Sequence, residues 1–523
     1  MIHRVQERLL LSDAGLDAVA SGDLGQNGNE LSIVNNVEGN ASERDLSRTA
    51  AVKTCFKSMD EALFEQGFAK LINTRETNLL TVQAVKNWLR TSEMPERFRI
   101  NPYQIAAAVG RPVDDIVAVA LTGVESGLFD LHWQIHCPYC NMITEEHGNF
   151  FELTGKSNCK MCEVDFESDF LMRVEVTFSL NRAIEDIGLV AFCRPPPVLE
   201  PKINLGVAPG DQGESVDIFR EPGLYRYFCP VTLSRGLLTV KGDPTNHVQI
   251  FKIKLLSSFA YDQTRVSARP GLVRFKLANE CEKLGGLYIV RDELPDELPL
   301  NALPPRLTGF RLIHYPEYRR LFGDQALSEY EQLQVSTVAL LFTDIAGSTA
   351  LYETLGNAAA YKIVRSHFTV LFKAIETHGG CVVKTIGDAV MASFTSTDDA
   401  VRCAVSSLRT FYRLRAERGS KDGVEVKFGI HCGPALLVNL NGRIDYFGST
   451  VNKAARVQGC AGANEVAFSS EVIADSKAAK TLVQISGYAM SEEHVMLKGI
   501  KASQVIFRLT TVNGVPTQDV LGF

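Results

Sequence analysis

No stretch of this chain approaches the roughly 18 uncharged apolar residues that a bilayer-spanning helix needs. It has no excess of positive charge either: the net charge is −7, so no global field draws it to nucleic acid or anionic lipid. The first residues lack a secretory pattern, because Glu7, Asp13 and Asp17 flank only a brief Leu-Leu-Leu. A disulfide framework is absent too. Of 12 cysteines, four fall in two Cys-x-x-Cys pairs, while Cys55, Cys193, Cys229, Cys281, Cys381, Cys403, Cys432 and Cys460 are scattered singly. That distribution belongs to a reducing compartment with one metal site. The expectation is a soluble, cytoplasmic protein without membrane insertion and with nucleic acid an unlikely partner.

At 523 residues, 45% hydrophobic and 22% charged, the chain is an ordinary globular sequence long enough for three or four domains. Residues 1–50 are rich in Gly, Asn, Asp and Ser and read as a disordered tail, with a short helix near Val5 to Leu11. Helical spacing governs 51–130: Phe64, Phe68 and Leu71, then Ile105 and Val109, then Val113, Val117 and Leu121. Asn101-Pro102 and Arg111-Pro112 mark helix starts. Short helices followed by an apolar hairpin suit a winged-helix-like segment. DNA binding competes there with a packing or sensory role, and Glu93, Glu96, Asp114 and Asp115 offset Arg97, Arg99 and Arg111 in favour of the second.

Cys137-Pro-Tyr-Cys140 and Cys159-Lys-Met-Cys162 have the spacing of a zinc ribbon, here residues 131–180. Four thiolates leave no open coordination position, so a Zn²⁺ bound there is structural; the alternative is four reduced thiols packed as small hydrophobes. His132, His136 and His147 lie nearby as surface residues or as supports for the metal ligands. Alternating segments at Phe170–Phe178, Val248–Ile253 and Leu272–Leu277 predict strands, and 181–300 reads as a small antiparallel β domain. Pro295 to Pro305 marks a linker, and Glu317 to Leu333 reads as a helix within a 301–334 connector.

Residues 335–510 carry the chemistry, ahead of a 511–523 tail. Val335–Phe342 is a buried strand ending at Asp344, and Gly347 lets the chain turn into a helix beginning near Leu351. Amides at such a turn suit a polyphosphate. Cys381–Lys384 and Ala389–Phe394 form a hairpin with Asp388 near its tip. Read singly, each aspartate is a turn or capping residue. Together they supply the oxygen ligands that magnesium prefers. Asn452 and Arg456, four apart on a helix capped by Ser449 or Thr450, share one face opposite Val451, Ala455 and Val457.

These pieces, Phe342-Thr-Asp-Ile-Ala-Gly-Ser-Thr349, Lys384-Thr-Ile-Gly-Asp388 and Asp445 to Arg456, resemble the catalytic domain of class III nucleotidyl cyclases. Phe428-Gly-Ile-His-Cys-Gly433 and Leu497-Lys-Gly-Ile500 extend the resemblance over Val335 to Leu509. The upstream half resembles a module found before some bacterial cyclases. The resemblance implies an α+β, ferredoxin-like domain that works as a head-to-tail homodimer. It implies that Asp344 and Asp388, with the Ile345 carbonyl, hold Mg²⁺ or Mn²⁺, two ions per site. It assigns Lys384 and Asp445 to the purine, Asn452 to the ribose, Arg456 to the transition state and Lys498 to the triphosphate. Gly347, Ser348 and Thr349 belong with the substrate's phosphates, and His431 reads as a packing residue.

The implied activity is an adenylate cyclase making 3′,5′-cyclic AMP and pyrophosphate from ATP. Asp445 accepts from the adenine N6 amino group but opposes the guanine O6, which disfavours GTP. The rivals are a guanylate cyclase and a nucleic-acid-binding regulator with a vestigial cyclase domain.

Overall fold

The computed structural model describes residues 59–74, 77–186, 202–229, 231–293, 297, 303–322, 327–418, 424–482 and 487–511. The tail expected over 1–50, Cys55, Cys193, the Pro195–Pro197 turn and nearly all of 511–523 lie outside them. Four helices come first, and side chains start three of the four where the sequence offers them. Asp60 accepts from the Ala62 and Leu63 amides to begin Glu61–Asn73, and Asn78 accepts from Leu80 to begin Leu79–Thr91. Asn101 caps Pro102–Val109, which Gly110 ends in the left-handed conformation (φ 63°). Pro112 precedes the fourth helix, Val113–Glu125, without a side-chain cap.

The buried stripes of these helices (Phe64, Phe68, Leu71; Val82, Val85, Leu89; Val117, Leu121) meet a three-stranded antiparallel sheet. Its order is Ile143–His147, Phe129–His136, Val174–Leu180. The third strand begins at Val174 and not at Phe170 as the alternation suggested. Phe170 to Arg173 instead form a turn in which the Asp169 carboxylate accepts from the Leu171 and Met172 amides. The first Cys-x-x-Cys knuckle follows the strand Phe129–His136 of this sheet, and the second joins the strands of a separate hairpin, Lys156–Cys159 and Val164–Glu167.

Residues 203–291 fold into two facing sheets. One holds Arg265–Ala268, Arg235–Val240, Gly223–Phe228, Gly285–Arg291 and Ile203–Val207, in that order; the other holds Thr245–Leu255, Gly271–Asn279 and Gln212–Phe219. Tyr227, Val273, Phe275 and Leu287 are among the side chains packed between them. The expectation of a wholly antiparallel domain is corrected. Thr245–Leu255 runs parallel to Gly271–Asn279, and Arg235–Val240 parallel to Arg265–Ala268. Successive strands here alternate between the sheets, so strands two apart in sequence become parallel neighbours.

The connector is also corrected. Its helices are Gly309–Leu312 and Pro316–Phe322, and the central strand of the C-terminal sheet already begins at Gln332. Leu333 and Val335 are buried while Gln332 and Gln334 are exposed, a period of two that overrides the helical reading of Leu327, Tyr330 and Leu333. That strand, Gln332–Ile345, lies between Ala389–Phe394 and Val426–Leu440 in an eight-stranded mixed sheet. Gly380–Ile386 continues one side; Val466–Ser469, Gln504–Thr511 and Tyr488–Val495 continue the other, and Arg443–Phe447 pairs with Val426–Leu440.

Helices Ser348–Thr377 and Thr397–Arg418 close one face over Leu341, Val390, Phe428 and Ile430. The other face presents Leu340, Phe342, Met391, Leu437 and Tyr446 to Phe310, Leu312 and Tyr318 of the connector, in one continuous core with Trp133. Aromatic contacts run through it: Trp133 to Tyr318 (5.9 Å), Phe170 to Phe310 (6.3 Å), Phe310 to Tyr446 (6.5 Å). Each such ring adds about 1.5–3 kcal/mol of burial, so the connector is bonded into the core and is not a free tether. Among the described residues no helix is long and apolar enough to cross a membrane.

Candidate active site

Asp344 ends the central strand, and the chain turns through Gly347 (φ 70°) into the helix Ser348–Thr377. No side chain caps this helix, so its first amides, at Ser348 and Thr349, are open to an anion. Gly356 (φ 74°, ψ 160°) breaks the helix one turn past Leu351. The hairpin closes as expected, with Ile386 opposite Ala389 across a two-residue turn in which Gly387 has φ 65°.

Asp388 therefore stands beside Asp344. The Asp344 carboxyl is pushed above its usual range by burial and by the Asp388 carboxylate, against the pull of Lys427. Asp388 Oδ2 is buried with no hydrogen-bond partner. Two neighbouring carboxylates, one with an orphaned oxygen, fit a hard divalent cation.

The second group is already paired. Lys384 Nζ lies 2.5 Å from Asp445 Oδ2, and the Tyr446 amide donates to Asp445 Oδ1 at 2.7 Å. Asp445 is buried and Lys384 is partly exposed. A bulge between Val382 and Lys384 re-aims the lysine.

Asn452 and Arg456 are both exposed on one face of Ser449–Gln458. Thr450, Ala454 and Val457 are its buried residues, with Val451 and Ala455 half-buried. The expected cap is corrected: Gly448 occupies the cap position, and the Thr450 hydroxyl donates to the Pro434 carbonyl at 2.5 Å. The helix sits close on the strand Val426–Leu440 because Gly429 has no side chain there. A Cβ on Gly429 would fall 2.2 Å from the Gln458 backbone. Lys498 is exposed in the turn after Leu497, which packs with Val457 at the end of the same helix.

The chain thus brings Asp344 to Asp388, Lys384 to Asp445, and Asn452 and Arg456 to one surface. Among the described residues no hydrogen bond or ion pair joins the aspartates to Asn452, Arg456 or Lys498 within one chain. His431 is buried against Ser469 Oγ (2.8 Å), in keeping with a packing role. Three neighbours carried no readable sequence signal. His367 is a buried ring stacked on Phe411 within electrostatic reach of Asp388; Lys427 faces Asp344; Tyr446 lies under Asp445.

At the knuckles, Cys137, Cys140, Cys159 and Cys162 are buried with their sulfurs within 4.8 Å of one another. Cys140 Sγ to Cys159 Sγ is 3.7 Å. A tetrahedron with Zn–S bonds of about 2.3 Å has edges of about 3.8 Å, so the four thiols fit zinc. Hydrogen bonds from Cys137, Cys140 and Cys162 hold the Cys159 thiol well below its usual range. His136 is not a surface residue. It is buried behind the first knuckle, with Nδ1 3.0 Å from the Asn141 carbonyl and Nε2 3.2 Å from Glu175.

Residues 330–510 match the family model described as the adenylate and guanylate cyclase catalytic domain, and this segment is a class III cyclase domain. Residues 62–190 match a family of unknown function. An adenylate cyclase of Mycosarcoma maydis is 34% identical over 173 residues, covering 29% of this chain and 7% of the relative. One of Anabaena cylindrica is 26% identical over 249 residues, covering 45% of this chain and 47% of the relative. The chain therefore spans less than half the length of either. The solved adenylyl cyclase CyaB of P. aeruginosa aligns at 21% identity with a TM-score of 0.30, over 36% of this chain and 99% of that one.

Proposed function

We propose that this chain is an adenylate cyclase converting ATP to 3′,5′-cyclic AMP and pyrophosphate between two head-to-tail copies of its α+β, ferredoxin-like catalytic domain. The observation that carries the reading is the Asp344–Asp388 pair with its buried, unpartnered Oδ2. These carboxylates, with the Ile345 carbonyl, would hold the Mg²⁺ or Mn²⁺ ions. When bound, such ions acidify the ribose 3′-hydroxyl and neutralise the triphosphate. Gly347, Ser348 and Thr349 offer the phosphates open amides.

From the second copy, Asp445 accepts from the adenine N6 amino group while Lys384 holds it in place. Asn452 orients the ribose, and Lys498 meets the triphosphate. Arg456 donates to the α-phosphate as charge grows there, an effect of about 3–4 kcal/mol for a preorganised donor. The exposure of Asn452, Arg456 and Lys498, with no bond from them to the aspartates among the described residues, supports a second copy as the donor of this group. In the same reading Zn²⁺ on the four cysteines is structural, and the protein works in the cytoplasm.

Incubating the purified chain with ATP or GTP and Mg²⁺ or Mn²⁺ tests this. Cyclic AMP should dominate and vanish in Asp388→Ala; cyclic GMP formed from GTP at equal or greater rate, or no cyclic product from either nucleotide, would sink it. Metal analysis should find one zinc per chain, lost on Cys140→Ser/Cys159→Ser.

A further inference from the structure

Lys384 and Asp445 meet across strands that are not neighbours in the sheet: Gly380–Ile386 pairs with Ala389–Phe394, and Arg443–Phe447 pairs with Val426–Leu440. No ladder sets the gap that their 2.5 Å contact closes. On that face of the sheet the connector packs in the same core as Tyr446 and Val383, the neighbours of Asp445 and Lys384.

Tyr446, next to Asp445, is buried, and the Phe310 ring of the connector lies edge-on against it at 6.5 Å. Ser393 Oγ is 3.0 Å from His314 Nε2, and His314 Nδ1 is 2.7 Å from the Phe310 carbonyl. A carbonyl only accepts, so Nδ1 carries the proton and Nε2 accepts from the Ser393 hydroxyl. The chain Ser393 to His314 to Phe310 therefore has one direction, and it ends on the residue whose ring packs against Tyr446. Burial pushes His314 down to about 4, so the ring is neutral at pH 7 and the direction is stable.

On the other strand, an Arg319 guanidinium nitrogen donates to the Val382 carbonyl at 2.6 Å, at the bulge that re-aims Lys384. Phe310 packs edge-on to Tyr446 from the same connector. His314 and Arg319 precede the residues matched by the cyclase family model, which begin at 330.

We propose that His314 and Arg319 are positioning residues for purine recognition: His314 fixes Phe310 against Tyr446, Arg319 holds Val382, and together they set the spacing of Asp445 and Lys384. This rests on the adenylate cyclase reading. The group they set contacts the base and not the reacting phosphorus, so their loss acts on nucleotide affinity and base choice and spares the chemical step.

The test uses the full chain, with steady-state kinetics on ATP and GTP and equilibrium binding of 3′-deoxy-ATP, which lacks the attacking hydroxyl. In His314→Phe, KM for ATP and Kd for 3′-deoxy-ATP should each rise roughly tenfold, with kcat within about threefold, since the Ser393 hydroxyl is left without its buried acceptor. The ATP-over-GTP preference should fall in step. Arg319→Met should do the same, and Arg319→Lys should restore part of the affinity. His314→Phe combined with Ser393→Ala should be no worse than the worse single variant, because both cut one chain.

Unchanged KM and Kd in the folded variants, a fall confined to kcat, or simple additivity of the double variant would overturn the proposal. If His314→Phe fails to fold, Ser393→Ala removes one oxygen from the same chain and decides the matter alone. An inactive wild-type chain would overturn the cyclase reading together with this one; an active wild type with insensitive KM overturns only this one.

Discussion

The two halves of the candidate site are built on opposite electrostatic plans. Asp344 and Asp388 repel, and one of their oxygens is buried without a partner. Lys384 and Asp445 are already joined, with the other Asp445 oxygen taken by the Tyr446 amide. A buried unpaired acceptor beside a like charge is costly unless a cation arrives, whereas a paired, supported carboxylate is ready for its ligand. One half is therefore completed by what it binds. The other is completed by the fold, and by parts of the fold far from it in sequence.

Breaking the metal half should have the largest effect. Asp388→Ala is expected to lower turnover more than about 1,000-fold and abolish any rise in Tm on adding Mn²⁺. Its cation-free stability should rise, by about 1 kcal/mol, because the orphaned oxygen is gone. A cation-free Tm that drops sharply would mean that Asp388 is a structural partner instead. Arg456→Ala should cost about 100- to 1,000-fold in kcat with metal-dependent stabilisation intact, which calorimetry with and without Mn²⁺ would verify.

Mixing Asp344→Ala chains with Arg456→Ala chains probes whether the halves come from different copies. Equal amounts of two inactive chains should recover about a quarter of wild-type activity, since half the dimers are mixed and each holds one whole site. No recovery from demonstrably mixed dimers would argue against the shared site. Within the grip half, Asp445→Ala should reduce the ATP-over-GTP ratio of kcat/KM by roughly 10- to 100-fold, and an unchanged ratio would exclude Asp445 from base reading.

The smallest effect is on stability. Burial holds His314, His367 and His431 each at about 4 in the folded chain. These depressed values lie below the unfolded value of about 6.5, so the unfolded state binds protons first as pH falls. Stability is whole above about pH 6.5 and declines towards pH 4, by up to roughly 1.4 kcal/mol per pH unit for each ring. Scanning calorimetry at pH 7, 6 and 5 should show Tm falling, and a flat profile would contradict the neutral burial of these rings. His314 lies under the grip half and His367 near the metal half, so replacing each in turn shows which half softens first.

Local chemistry was readable along the chain. The hairpin that carries Asp388, the Gly347 turn, the helix face shared by Asn452 and Arg456, and the two cysteine knuckles all follow from spacing within a few residues. The misreadings arose where distant partners overrode local pattern. Leu333 is a strand residue because it pairs with Leu437, and the β domain has parallel pairs because its strands alternate between sheets. Ser449 and Thr450 do not cap their helix because it already begins at Ser449, behind Gly448, and the Thr450 hydroxyl finds the Pro434 carbonyl.

The sequence by itself determined which residue types can hold a cation, a purine and a phosphate, since their short-range spacing is covalent. Only the tertiary structure decided that Asp388 keeps an oxygen unpaired and that Asp445 finds Lys384. It also decided that a histidine and an arginine ahead of residue 330 bond to Ser393 and to the Val382 carbonyl. Burial and pairing depend on which surfaces meet, and that is a property of the packed chain and not of any segment in it.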